Sequence, residues 1–129
     1  MNLEIKNGCL NGLCLGTSKS KFDKNTATSS GVLYELEDYE GEEYIATLSA
    51  RNVENFILDG QEINFKNLTK FLESENPLVD DDIYVFPNHN LTLIPDFEDE
   101  IFSEVLIYHE RVKDLFVESY DDYYLNLKR

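Results

Sequence analysis

Residues 83–108 read IYVFPNHNLTLIPDFEDEIFSEVLIY, and this stretch decides the fold class. It contains three apolar runs, at 83–86, 91–94 and 101–108. Proline, asparagine and acidic residues separate the runs, at 87–90 and at 96–100. Short apolar runs bounded by such residues are typical of β-strands joined by turns. We therefore predict three successive strands that pair in an antiparallel sheet.

The preceding part of the chain extends this pattern. Residues 32–48 alternate between apolar and acidic side chains and predict a hairpin, with its turn at 40–43. The apolar run 53–58 ends at Asp59-Gly60, a pair that is typical of hairpin turns. Near the start of the chain, Leu3-Glu4-Ile5 predicts a further short strand.

Two segments have helical spacing. In residues 64–76, Phe65, Leu68 and Leu72 recur three and four apart, with Asn64 as a candidate cap and Pro77 as a stop. Residues 111–125 also show helical spacing, although the run at 115–117 is compatible with a strand. Residues 23–31 are small and polar and predict a loop.

These elements predict an α+β fold in one domain over residues 1–129. The domain would contain a mostly antiparallel β-sheet with one or two packed helices.

Residues 12–20, GLCLGTSKS, resemble a phosphate-binding loop in composition but not in spacing. A phosphate-binding loop has four residues between its glycines and a lysine directly after the second glycine. Here Gly12 and Gly16 are separated by three residues, and Lys19 follows three positions after Gly16. The segment therefore predicts a short strand, Leu13 to Leu15, that ends at a glycine turn.

Charge is the strongest functional signal. The chain has 26 acidic residues against 11 lysines and arginines, a net charge of −15. Residues 1–34 carry four lysines and two acids (+2), so residues 35–129 carry 24 acids and seven bases (−17). Such a charge repels nucleic acids and anionic membranes and attracts basic proteins. The alternative is that the acids only keep the protein dispersed in solution.

The two cysteines, Cys9 and Cys14, are expected to be reduced and mostly buried in a cytoplasmic protein, with a disulfide as the less favoured alternative. No apolar run has the roughly 20 residues that a membrane helix needs. The first residues, MNLEIKNG, do not have the pattern of a signal peptide.

We find no arrangement that predicts a metal, a cofactor or a catalytic centre, so we expect a protein that is not an enzyme. His89 and His109 lack metal-binding spacing with the cysteines. The acidic runs lack the glycine of a calcium-binding loop.

Acidic runs and tyrosines are instead the candidates for binding a protein partner, since tyrosine is frequent at interfaces. The predicted contact residues are Asp80, Asp81, Asp82, Asp96, Phe97, Glu98, Asp99, Glu100, Tyr120 and Tyr123. We expect Phe97 to anchor the partner within an exposed acidic loop beside an uncovered sheet edge. The alternatives are that Phe97 closes the core, that the tyrosines pack a helix on the sheet, and that the acids are only solvated.

The segments LCLGTSKSKF (13–22) and NLTKFLESENPLVDDDIYVFPNHNLTLIPDFEDEIFSEVLIY (67–108) resemble small cytosolic immunity proteins of bacterial toxin systems, including contact-dependent growth inhibition. The resemblance covers residues 10–109. It implies a protein that binds a cognate toxin domain, often a nuclease, and blocks it without catalysis. No binding residue can be transferred from it.

Three alternatives stay open. The protein could be an acidic mimic of nucleic acid that inhibits a DNA-binding enzyme, an acidic chaperone of a basic secreted protein, or a small enzyme with a carboxylate site.

Overall fold

The computed structural model describes residues 3–118, 120 and 122–127. Its strands, in chain order, are β1 (Leu3–Lys6), β2 (Cys9–Leu10), β3 (Leu13–Cys14), β4 (Leu33–Tyr39), β5 (Glu42–Val53), β6 (Phe56–Leu58), β7 (Gln61–Ile63), β8 (Leu78–Asp80), β9 (Ile83–Phe86), β10 (Leu91–Asp96) and β11 (Ile101–Tyr108). Its α-helices are α1 (Lys24–Ser30), α2 (Leu68–Glu75), α3 (Lys113–Val117) and α4 (Tyr124–Leu127), and a 3-10 helix covers Glu110–Val112. The predicted α+β class is confirmed.

The larger sheet has six strands in the order β4-β5-β11-β10-β9-β8, and all neighbours are antiparallel. Strands β8 to β11 follow one another in space as they do in sequence. The predicted strands within 83–108 are therefore confirmed, and so is the hairpin of β4 and β5.

A second, five-stranded sheet has the order β3-β2-β1-β6-β7. Its central pair is parallel, with Leu3 opposite Phe56 and Ile5 opposite Leu58. A single antiparallel sheet was expected, and this second sheet differs from that expectation. Its parallel pair joins segments about 50 residues apart, so no local turn signal could reveal it.

The main core lies between the two sheets. Leu3, Ile5 and Leu10 from the smaller sheet form one buried cluster with Val105 and Ile107 of β11. The buried face of α2 closes the same cluster with Leu68, Phe71 and Leu72.

The opposite face of the six-stranded sheet packs against the segment that follows β11. Tyr108 and Val112 are buried there, and the rings of Tyr108 and Phe116 stack with centroids 4.5 Å apart. The six-stranded sheet is thus the middle layer of the domain.

The predicted helix at 64–76 is present but shorter. Asn64 does not cap it directly: its side-chain oxygen accepts hydrogen bonds from the N–H groups of Lys66 and Asn67, at 2.9 and 3.1 Å. These bonds form a turn that precedes the first helical residue, Leu68. The helix ends at Asn76, whose left-handed backbone (φ 46°) precedes Pro77.

Residues 23–31 were expected to be a loop, which is wrong, because they contain α1. The Asp23 carboxylate accepts hydrogen bonds from the N–H groups of Asn25 (3.0 Å) and Thr26 (3.2 Å). Gly31 ends the helix in the left-handed conformation. Good caps at both ends stabilise a helix that lacks an apolar stripe.

The single helix expected at 111–125 is also wrong. The chain instead forms the 3-10 helix, α3 and α4, while residues 119 and 121 of the predicted helix lie outside the described part. Tyr123 lies between the helices, where its backbone pairs with Leu78 of β8. Pairing with the sheet therefore replaces the helix in this segment.

The expectation of reduced cysteines is contradicted, because Cys9 and Cys14 form a disulfide. The two residues lie directly opposite each other on β2 and β3. The Asn11-Gly12 turn produces this register, so a spacing of five residues brings the two sulfurs together.

The GLCLGTSKS stretch is a strand and a turn, as predicted, with the strand limited to Leu13–Cys14. After it, the chain pairs with β5: Gly16 N–H donates to the Ile45 carbonyl at 2.9 Å and Lys19 N–H to the Glu43 carbonyl at 2.9 Å. Gly16 has φ +85°, and a Cβ at this position would lie 3.2 Å from His109 Nε2. Both constraints favour glycine here.

Helices in the described part of the chain are all too short and too polar to cross a lipid bilayer.

Candidate functional site

The two predicted acidic segments lie at the same end of the six-stranded sheet. Residues 81–82 connect β8 to β9, and residues 97–100 connect β10 to β11. In an antiparallel meander, every second connection falls at the same end, and two strand spacings are about 10 Å. We name residues 80–82 and 96–100 together the acidic end.

The 96–100 loop extends further from the sheet than the 81–82 turn. Leu93 of β10 pairs with Tyr84 of β9, so Ile83 is level with Ile94, and Asp96 lies two residues beyond. Two residues of strand correspond to about 7 Å. A partner that approaches this end of the sheet therefore meets the 96–100 loop first.

Asp96 organises this loop. Its Oδ1 accepts hydrogen bonds from the N–H groups of Glu98 (3.0 Å) and Asp99 (3.1 Å). The loop then turns through Glu100, which has a left-handed backbone (φ 55°). Asp96 is half-buried, and Glu98, Asp99 and Glu100 are exposed. One carboxylate thus shapes the loop while three project into solvent.

The three projecting carboxylates form none of the ion pairs found between described residues. Their charge is therefore directed outward, where it can act on a partner.

Phe97 is the one aromatic residue of the acidic end, and 57% of its surface is accessible. It packs edge-on against Phe65 at 5.7 Å, and Phe65 in turn packs against the buried Phe102 at 5.1 Å. Phe97 therefore does not close the core. It forms the exposed end of a row of aromatic rings that begins inside the core.

A shallow groove of about 540 Å³ lies next to this row. It is lined by Phe65 and Ile101 and by the polar residues Glu54, Asn55, Asn64, Lys66, Asp99 and Glu100. Three carboxylates (Glu54, Asp99 and Glu100) and one ammonium group (Lys66) lie at its border.

In the 80–82 turn, two neighbouring carboxylates oppose each other. The negative charge of Asp81 and a hydrogen bond with it raise the pKa of Asp82 above its usual value. Asp81 has a left-handed backbone (φ 58°). A cationic side chain bound here would relieve the repulsion between the two carboxylates.

The two predicted tyrosines lie beside this turn but differ in their surroundings. Tyr120 packs against the buried cluster around Tyr108, and burial followed by the nearby Asp80 charge raises its pKa. Tyr123 is 45% exposed and follows Asp122, whose carbonyl accepts from Val79 N–H at 2.9 Å. Tyr120 is therefore partly buried against the core, although it lies outside any helix, whereas Tyr123 is exposed at the surface.

One part of the expectation is wrong: the 96–100 loop does not lie beside an uncovered sheet edge. Strands β10 and β11 are inside the sheet, and the edges are β4 and β8. The neighbouring edge, β8, pairs with residues 122–124.

The hairpin of β4 and β5 contains a second acidic region, which lies outside the predicted contact residues. It comprises Glu35, Glu37, Asp38, Glu40, Glu42 and Glu43. The density of acids in ELEDYEGEE (35–43), six within nine residues, is the sequence signal for this region.

Groups of three or more His, Cys, Asp or Glu side chains arranged to hold a metal ion do not occur in the described part of the chain. Comparison of the chain with protein-family models, curated proteins and solved structures finds no match.

Proposed function

We propose that this protein is an immunity protein, which binds a basic toxin domain and neutralises it in the cytoplasm of the cell that makes both. The observation that carries the proposal is the acidic end, where two acidic turns lie at the same end of the six-stranded sheet and one of them contains the exposed ring of Phe97. The resemblance of residues 10–109 to immunity proteins supports the same function.

The charges suit a nuclease domain as the toxin. A nuclease must bind phosphates, so the surface around its active site is basic. Exposed carboxylates at 98–100 would attract that surface and accelerate association. A protein bound there would exclude the nucleic acid substrate without any catalytic step of its own.

Phe97 supplies the apolar part of the contact. Aromatic residues at the centre of an interface commonly contribute most of its binding energy, while surrounding polar groups exclude water and orient the partner. The Phe97 ring is held by Phe65, so little side-chain entropy is lost when it is covered.

The proposal is tested with the toxin candidate encoded beside the gene of this protein. Its C-terminal domain is purified and mixed with this protein, and nuclease activity and complex mass are measured. We expect a 1:1 complex in which the nuclease activity is lost. A toxin domain that stays fully active in the presence of excess protein would contradict the proposal.

A matched pair of variants locates the contact. E98Q/D99N/E100Q removes three charges from the acidic end, and E4Q/D114N/E118Q removes three exposed charges elsewhere. We expect only the first variant to lose inhibition. Equal losses would show that net charge, rather than the acidic end, controls binding.

A further inference from the structure

Strand β4 has no strand paired with its outer side in the part of the chain that the structure describes. It is the terminal strand of the six-stranded sheet and has seven residues, Leu33–Tyr39. Within the described part of the chain, its backbone hydrogen bonds are formed with β5 alone. A strand of this length presents about 20 Å of unpaired N–H and C=O groups to solvent.

The opposite edge of the same sheet differs. Strand β8 has three residues, and the chain covers it through the bonds from Val79 N–H to the Asp122 carbonyl (2.9 Å) and from Tyr124 N–H to the Pro77 carbonyl (2.8 Å). One edge is therefore closed by the protein itself, and the other is left open.

Proteins commonly protect an open edge with charged side chains (lysine above all), proline, a β-bulge or a very short strand, and the ladder of β4 with β5 shifts its register between Glu35 and Leu36. Strand β4 has neither lysine nor proline, and its hairpin instead carries six acids within nine residues. These are Glu35, Glu37, Asp38, Glu40, Glu42 and Glu43. Two copies of this edge would repel each other, so the acids oppose self-association.

The internal contacts of these acids leave much of the charge available. Glu43 pairs with Lys19 at 3.3 Å, and Glu35 accepts a hydrogen bond from Thr47 at 3.3 Å. Asp38 accepts from the N–H of Gly41 at 3.1 Å, which shapes the turn. Glu37, Glu40 and Glu42 are exposed and take part in none of the ion pairs between described residues.

Apolar contact is available at both ends of the strand. Leu33 and Tyr39 are each 47% exposed. The guanidinium of Arg111 lies 3.7 Å from the centre of the Tyr39 ring and holds it in place on one side. The edge thus combines unpaired backbone, negative charge and two apolar side chains.

We propose that β4 binds an extended segment of a partner protein, rich in lysine or arginine, which adds to the six-stranded sheet as a seventh strand. Backbone hydrogen bonds supply the affinity in such strand addition, and side chains supply the selectivity. The acids of the hairpin select a basic segment over an acidic one or over a second copy of this chain. The inference stands independently of the proposed function, because β4 and the acidic end are different surfaces with different residues.

The test uses the full chain and two synthetic peptides. The first peptide, acetyl-KVKYKVK-amide, alternates lysine with apolar residues. The second has the same sequence with every second backbone nitrogen methylated, so that it keeps its charge but cannot donate hydrogen bonds along one side. Calorimetry gives both dissociation constants. Hydrogen exchange by NMR locates the contact.

We expect the methylated peptide to bind at least tenfold more weakly, about 1.4 kcal/mol. We also expect the unmethylated peptide to protect every second amide within 33–39, because alternate N–H groups of a strand point to the same side. A smaller ratio, protection outside β4, or no binding at millimolar peptide would overturn the proposal.

Charge variants provide the second readout. E37Q/E40Q/E42Q should weaken binding of the unmethylated peptide at least fivefold, while E4Q/D114N/E118Q should leave it unchanged. Equal effects of both variants would show that overall charge, and not this edge, attracts the peptide. Loss of peptide binding in E98Q/D99N/E100Q alone would assign the peptide to the acidic end and overturn the inference, while leaving the proposed function intact.

Discussion

Phe97 packs edge-on against Phe65, with the two ring centroids 5.7 Å apart and the ring planes at 81°. Phe97 is therefore the last ring of a row of aromatic rings, and 57% of its surface is accessible to solvent. A large apolar side chain that is both oriented and exposed is suited to contact with a partner.

Phe97→Ala separates the binding role from the structural one. Because most of the ring is exposed, we expect the free energy of unfolding to fall by less than about 1 kcal/mol. Affinity for the toxin domain should fall at least tenfold, about 1.4 kcal/mol. Urea denaturation and calorimetry measure the two quantities.

Phe102→Ala is the matched control, since Phe102 is fully buried in the same row of rings. Its removal should lower the free energy of unfolding by about 3 to 5 kcal/mol. If Phe97→Ala destabilises the protein as strongly as Phe102→Ala, Phe97 is a core residue.

Neutralising the 96–100 loop should affect binding and not folding. In D96N/E98Q/D99N/E100Q, the asparagine that replaces Asp96 keeps a side-chain oxygen, which can accept from the same two N–H groups as in the native loop. We expect each surface change to alter the free energy of unfolding by no more than about 0.5 kcal/mol. Toxin affinity should fall tenfold or more. Full protection of toxin-exposed cells by this variant, with unchanged affinity, would remove the loop from the interface.

Salt should act on the association rate. The Debye length falls from about 10 Å at 0.1 M salt to about 3 Å at 1 M, which screens the long-range attraction between the acidic end and a basic partner. We expect the association rate constant with the toxin domain to fall at least tenfold over this range, measured by stopped-flow fluorescence. An association rate that does not respond to salt would show that the acids serve solubility.

Local sequence signals predicted most strands and missed the elements that depend on distant contacts or on capping. The runs at 83–86, 91–94 and 101–108 became β9, β10 and β11, because apolar strands bounded by turn residues need no other information. The parallel pairing of β1 with β6 leaves no mark in either segment. Helix α1 lacks apolar periodicity and depends on the Asp23 cap.

The position of the acidic end was not predicted. Strand β8 (Leu78–Asp80) was not among the predicted strands, so the structure alone places the turns at 81–82 and 97–100 at one end of the sheet. The sequence did not reveal which edges are open, because that depends on the strand order β4-β5-β11 and on the pairing of Tyr123 with Leu78. It was for this reason that the 96–100 loop was expected beside a free edge.

The disulfide should contribute modestly to stability. Cys9 and Cys14 close a short loop, since they are five positions apart. Chain entropy for a loop of this size corresponds to about 2 kcal/mol. We expect C9S/C14S to fold and to lose about this free energy of unfolding. The domain would then also tolerate the reduced state that a cytoplasm imposes.

Thiol titration of the native protein without reductant should find neither sulfur reactive. Two reactive thiols in that titration would contradict the pairing.

A pH-sensitive contact is expected at the end of β11, where His109 begins the 3-10 helix. Its Nδ1 accepts a hydrogen bond from Arg111 N–H at 3.1 Å, so the neutral ring is the capping form. Burial, followed by the positive charge of Arg111, lowers the pKa of His109 below 6.5, while Glu110 acts in the opposite direction. The unfolded chain therefore takes up a proton on His109 at a higher pH than the folded chain does. The stability from this residue is complete above pH 6.5 and is lost as the pH falls from 6.5 through the lowered pKa.

His109→Asn keeps a capping side chain that does not titrate. We expect the variant to lose less stability than the native protein over this interval, measured by urea denaturation at several pH values. Identical pH profiles for the two proteins would show that His109 does not titrate differently in the folded and unfolded chains.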